Sequence, residues 1–277
     1  MILKQKIFCS KTYVLLILQF FIMFIYTNGL VECSDAYEYP CAPWILAFYF
    51  SSAYVILINS FLVIYYFSDA PFMQYYNIYK IIRYGRTMYA VANIVAVCVQ
   101  AFGFMVVSFL LSIICLFGRI DFTCGWGKLL HTIALTNGIE SFQIYMDISY
   151  ESMKQFTALE LVGLTIVIGT LVFSFVGLLM YIISLYFSRV AASIIAVIMA
   201  TMAFMTEEAI PIVARPLSYV SPISWLHVAR IKMKVMGVYV LPPLWYIIIF
   251  LIVGISLCIS LILYKSRTVE FEFYKED

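Results

Sequence analysis

The sequence predicts an all-α polytopic membrane protein. It should have six transmembrane helices, cytoplasmic N- and C-termini, and short re-entrant or interfacial helices before the last span. Three observations carry this expectation. The chain is 65% hydrophobic and only 12% charged, with a mean hydropathy of +1.01, which no soluble domain of 277 residues approaches. Its apolar runs are long and unbroken, near the roughly 20 residues that cross a bilayer as a helix, whereas a membrane barrel would show short alternating segments. Its basic residues gather between alternate runs, as the positive-inside bias requires.

Residues 1–277 read as one transmembrane domain. Lys4, Lys6 and Lys11 precede the first run, residues 12–30. A basic flank before an apolar run also describes a signal peptide. This run is long and no small-x-small cleavage pattern follows, so it reads as a span. A short acidic loop leads to the second span, residues 44–67, where Trp44 suits an interface. The third span, 88–117, is longer than a bilayer needs and should tilt or bend, with Gly103 its soft point. A long polar segment precedes the fourth span, 159–187. Ser188 and Arg189 then form a minimal turn into the fifth, 190–205. The sixth is 244–264.

Between the second and third spans lies SDAPFMQYYNIYKIIRYGRTMY, residues 68–89. Asp69, Ala70 and Pro71 suit a helix start. On the helix that follows, Lys80, Arg83 and Arg86 share one side, roughly opposite Ile78, Ile81 and Ile82. A basic, aromatic-flanked helix at the cytoplasmic surface serves either as an anchor on acidic headgroups or as a docking helix for a partner.

Residues 206–243 break the charge pattern. Elsewhere the assigned outer side holds only Arg119, Lys128 and Lys154, yet this segment adds Arg215, Arg230, Lys232 and Lys234. Pro211, Pro216 and Pro222 divide it into short pieces. Ile223–Met236 reads as an interfacial amphipathic helix with His227, Arg230 and Lys234 on one face. A hairpin dipping into the outer leaflet accounts for so apolar a segment better than a solvated loop does.

Several chemistries lack their residues. No G-x-x-x-x-G-K-[ST] loop is present, and no C-x-x-C pair accompanies the two histidines, His131 and His227. No cofactor or metal is therefore expected on this chain, and neither catalysis nor nucleic-acid binding. Cys33 and Cys41 flank the first outer loop, as free thiols or as a disulfide. No Asp, Glu, Lys or Arg lies near the middle of a span, where ion-coupled carriers generally keep their relays. Gln19, Asn59, Asn93 and Gln100 suit interhelical hydrogen bonds or a polar pathway. On the fifth span, Ala192, Ala196 and Ala200 form a small-xxx-small ladder, with internal packing and a dimer seam as its two readings.

Six spans, DAPFMQYYNIYKIIRYGR at 69–86, GWGKLLHTIALTN at 125–137 and PLSYVSPISWL at 216–226 together resemble an ABC-2 type transporter permease, the membrane subunit of a bacterial ABC exporter. The stretch before the first span departs from the family, leaving little room for an amphipathic connecting helix. The resemblance implies a multi-pass cell-membrane subunit that pairs with a second copy or paralogue and exports a peptide, lipid or drug-like substrate. A separate cytoplasmic ATPase would hold ATP and Mg. It implies a coupling helix with Tyr75, Tyr76, Tyr79, Lys80, Arg83 and Arg86, and an outer gate hairpin with Glu207, Glu208, Pro222, Trp225 and Arg230. It also implies dimer packing through Ala192, Ala196 and Ala200. The alternative is a non-transporting assembly or sensor protein that recruits a cytoplasmic partner through residues 68–89.

The topology is testable. In a background lacking native cysteines, a membrane-impermeant thiol reagent should label a cysteine at position 145 from outside, and one at position 77 only after lysis. External labelling at 77 contradicts the six-span arrangement.

Overall fold

A chain this apolar must satisfy its own backbone hydrogen bonds wherever it meets lipid, and helices do so within one segment. The computed structural model describes residues 10–69, 78–136 and 138–267. Its helices are α1 (Ser10–Tyr37), α2 (Leu46–Tyr49), α3 (Ala53–Phe67), α4 (Ile78–Tyr84), α5 (Arg86–Cys115), α6 (Gly127–Leu135), α7 (Gly138–Ser141), α8 (Tyr150–Gln155), α9 (Ala158–Tyr186), α10 (Arg189–Glu208), α11 (Pro211–Val220) and α12 (Leu244–Ser266). Two 3₁₀ turns, Pro222–Leu226 and Val228–Arg230, and a small hairpin of β1 (Lys234–Val235) and β2 (Val238–Tyr239) lie between α11 and α12. The protein is all-α and multi-pass.

Five helices, α1, α5, α9, α10 and α12, are long and apolar enough to cross a membrane. The second expected span is not one helix. It divides into α2 and α3, and the 15 residues of α3 reach only about 22 Å, against a hydrocarbon core of about 30 Å. The break at Phe50–Ser52 is tolerated because it is enclosed. Phe48, Tyr49 and Phe50 are each fully buried, so the freed backbone groups face protein rather than lipid. Ser51 Oγ donates to the Phe48 carbonyl and accepts the Asp147 N–H at 2.7 Å.

Contacts at the two ends show how the chain runs. At the near end Lys11 meets Asp69 at 2.6 Å, and Lys265 lies 4.9 Å over the Tyr186 ring. At the far end Arg119 holds Asp35 with two hydrogen bonds, and Trp44 Nε1 donates to the Thr123 carbonyl at 2.8 Å. Successive traverses therefore alternate in direction.

The most enclosed of the long helices is α9, with 61% of its most apolar stretch buried against 22–44% for the other four. It begins in a capping box, Thr157 and Glu160 each satisfying the other's backbone N–H. It packs on α5, α12, α10 and α3. Close contact with α5 and α3 requires Gly177, where a Cβ would stand 2.7 Å from Val97 Cγ1 and 3.0 Å from the Phe67 ring. By contrast α1 leaves Tyr13, Ile17, Phe21, Phe24 and Ile25 more than half exposed, the surface expected where lipid is the solvent.

Two expectations are corrected here. The ladder of Ala192, Ala196 and Ala200 is buried within one chain, with Ala203. It belongs to a helix that packs chiefly on α3 and α9, so these small residues serve internal packing and are not left for a second copy. Ile223–Met236 is not one amphipathic helix. Residues 221–229 are all buried, and no single face of an interfacial helix could hold nine consecutive residues. The 3₁₀ turns allow it, and the chain then reverses at Met236 and Gly237, both with positive φ, between β1 and β2.

The long polar segment after α5 folds back onto the bundle instead of lying over it. Ile144, Met146 and Ile148 are buried in alternation. Nearby, Cys41 and Ile120 form a short parallel bridge. Cys33 and Cys41 are buried free thiols, and burial, with the Cys33 thiol adding to it, pushes Cys41 up to about 12.

A Cβ at Gly29 would meet the Phe142 carbonyl at 2.6 Å, whereas one at Gly163 would meet nothing within 4 Å. Gly29→Ala should therefore destabilise the protein by about 1–3 kcal/mol. Gly163→Ala should be neutral or stabilise by up to about 1 kcal/mol. Thermal unfolding in detergent separates the two, and equal midpoints would mean that residues 142–144 do not sit against α1.

Candidate functional site

The site begins where α10 ends, at Thr206, Glu207 and Glu208. The Glu207 side chain is 4% exposed, and a carboxylate so enclosed needs counter-charge and hydrogen bonds. Both are present. Glu207 Oε2 accepts from Arg230 at 2.6 Å and lies 2.9 Å from His227 Nδ1. Because a carboxylate only accepts, Nδ1 must carry the proton. The His227 side chain is buried and that of Arg230 is 23% exposed, so Arg230 closes the triad on its outer side.

The turns position these groups. His227 sits between the two 3₁₀ segments and Arg230 ends the second. Trp225 anchors them, its Nε1 donating to the Ser218 carbonyl at 2.7 Å and its ring edge-on to Phe250 of α12 at 5.2 Å. Ser218 Oγ donates to the Val240 carbonyl at 2.6 Å, tying α11 to the chain after the hairpin. Pro222 opens the first turn, whereas Glu208 is exposed and outside the triad. Lys234 also leaves the expected basic face, standing 5.1 Å over Tyr239 in the hairpin. The arrangement is a clamp holding residues 206–243 against the bundle. Among the described residues, no three His, Cys, Asp or Glu side chains converge as a metal site would require.

The near end presents a different surface. Tyr75 and Tyr76 lie outside the described residues. Tyr79 and Lys80 belong to α4, which ends at Tyr84, before the expected end at Arg86, while residues 70–77 of the expected helix lie outside the described residues. Asp69 pairs with Lys11. Ile82 is 76% and Tyr84 58% exposed, and the Arg83 guanidinium covers the Tyr84 ring at 5.4 Å. Gly85, at φ 81°, redirects the chain into α5, which Arg86 begins.

Between the ends lies a buried polar cluster. Gln19 Nε2 donates to Ser108 Oγ at 3.1 Å and to Tyr49 OH at 3.4 Å, and Asn59 Nδ2 reaches the same hydroxyl at 3.0 Å. Gln19 and Asn59 thus serve interhelical bonding, joining α1, α2, α3 and α5. Tyr49 and Ser108 were not singled out from sequence, because a tyrosine and a serine in an apolar run give no signal of their own. The Glu207–His227 pairing was likewise missed. Its available signal was one of only two histidines following an acidic pair at a span end.

The fold defines a class, the multi-pass α-helical membrane protein. No protein-family model, curated protein or solved structure matches the chain.

Removing Glu207 leaves a buried imidazole and a partly buried guanidinium without their shared acceptor. Glu207→Ala should cost about 3–5 kcal/mol, while the exposed Glu208→Ala should stay within about 0.5 kcal/mol. Chemical denaturation of the two variants in detergent tests this, and similar stabilities would mean the clamp does not form.

Proposed function

We propose that the chain is the membrane-spanning permease subunit of an ATP-driven exporter, energised by a separate cytoplasmic ATPase. The reading rests chiefly on where charge is buried. No Asp or Glu besides Glu207 is buried among the described residues, and Glu207 lies at a helix end, matched by Arg230 and His227. The middle of each traverse carries no ionisable relay. A carrier driven by protons or sodium generally needs one, so the energy for transport would come from outside the chain. The exposed apolar and basic side chains of α4 suit the docking helix on which such an ATPase would push. Six membrane crossings with cytoplasmic termini, a paired permease, and a peptide, lipid or drug-like cargo belong to the same proposal.

The experiment is copurification from the native membrane, scored by ATP hydrolysis. The wild-type protein should bring an ATPase subunit with it. Ile82→Ser combined with Arg83→Ala should insert normally yet lose about tenfold or more of the copurified activity, the scale expected for an interface anchor. Wild-type activity in that variant would reduce α4 to a headgroup anchor. If the wild-type protein brings no ATPase, the chain is not an ATP-driven permease and the recruiting-protein reading takes its place.

A further inference from the structure

Three of the four cations that break the positive-inside pattern remain after the clamp has used Arg230. Two of them, Arg215 and Lys232, line one cleft of about 690 Å³ with Gln155, Tyr219 and Tyr239, over a wall that includes Leu244. We infer that this cleft binds the headgroup of a single anionic glycerophospholipid, one that carries a phosphate and hydroxyl donors.

Four observations lead there. The first is charge. Arg215 and Lys232 come from separate pieces of chain, α11 and the stretch after the second 3₁₀ turn, and no carboxylate lines the cleft. Glu160, the carboxylate that Lys232 influences, already accepts the Thr157 N–H at 3.0 Å. Lys232 itself is steered by Phe156, its ammonium 4.4 Å over the ring. The remaining cation, Lys234, stands over Tyr239 at the rim. A phosphate therefore meets positive charge from two sides.

The second is the polar lining. Gln155, Tyr219 and Tyr239 line the cleft beside the two cations, polar side chains suited to the hydroxyls of a glycerol headgroup. A choline headgroup, by contrast, sets a fixed positive charge against Arg215 and Lys232 and has no hydroxyl to share. The third is depth. Leu244 opens α12, and the next residue, Trp245, is 65% exposed, as an indole at the membrane–water boundary is. The cleft thus sits where headgroups lie. The fourth is the wall itself. Ile231, Leu241 and Leu244 supply an apolar surface for the first methylenes below the glycerol. The site explains why cations persist in this segment, and it does not depend on the transport reading.

The test is native mass spectrometry of the purified full-length protein titrated with phosphatidylglycerol, phosphatidylcholine or inorganic phosphate. The wild-type protein should hold one phosphatidylglycerol about thirtyfold more tightly than phosphatidylcholine, on the scale of two surface cations. Arg215→Gln with Lys232→Gln should abolish that preference. Lys128→Gln with Lys154→Gln removes the same charge elsewhere on the far end and should leave it intact. The inference is overturned by an equal affinity for the two lipids in the wild type. Loss of the preference in the control pair, or its survival in the Arg215 and Lys232 variant, overturns it too. So does displacement of the lipid by equimolar inorganic phosphate, which would identify a plain anion site.

Discussion

A helix break inside a membrane protein is permitted only where protein, not lipid, surrounds it, and the architecture follows from enclosing the one at Phe50–Ser52. Three aromatic or bulky residues at the break are sealed, and each enclosing element makes a specific concession. The segment after α5 folds inward far enough for the Asp147 N–H to reach Ser51, and α1 accommodates that segment through Gly29, the one residue type that lets the Phe142 carbonyl approach. The α10 helix turns its alanines inward and so lies close to α3. Tyr49, at the end of α2, receives the side-chain amides of Gln19 and Asn59. A short apolar helix that could not span a bilayer alone thus becomes a central element.

The same reasoning governs charge. Burying one carboxylate among apolar helices is unfavourable unless partners remain fixed beside it, and fixing them shapes the whole stretch from α10 to α12. An extended interfacial helix over Ile223–Met236 would hold His227 and Arg230 on one face but leave Trp225 and Val228 on others. The 3₁₀ path brings both cationic-type side chains to Glu207 and buries the apolar ones against α9, α10 and α12. Lys232 and Lys234, not needed for that purpose, remain at the surface.

Much of this was legible from residues alone, and the rest was not for identifiable reasons. Hydropathy marks a helix by its bulk transfer energy, so α5, α9, α10 and α12 lie close to the expected runs, while α1 continues to Tyr37, seven residues past the expected end and into the stretch read as an acidic loop. The break between α2 and α3 has neither proline nor glycine, only Ser51 and Ser52 in an apolar run, and depends on a loop almost a hundred residues away. A small-residue ladder shows that something packs closely but not what. On α10 the partner is α3 of the same chain, whose own burial was invisible to periodicity. The basic face at His227, Arg230 and Lys234 was read from helical spacing. Two of its three members do converge, because 3₁₀ geometry keeps residues i and i+3 on one side as well.

These features meet in α10. It starts at the near end with Ser188 capping the Ala191 N–H at 3.1 Å and carries Glu207 in its last turn, a rise of about 30 Å. Its inward face is made of alanines packed on α3 and α9, which have no rotamers to rearrange. A helix of that kind transmits displacement rather than absorbing it. Any force applied near Arg189 must therefore either carry Glu207 with it, and the clamped segment with Glu207, or pull the carboxylate from His227 and Arg230. The first keeps every buried charge paired and the second exposes one to an apolar interior. The difference in cost makes joint movement of α10 and residues 206–243 the favoured response of this fold to strain at its near end.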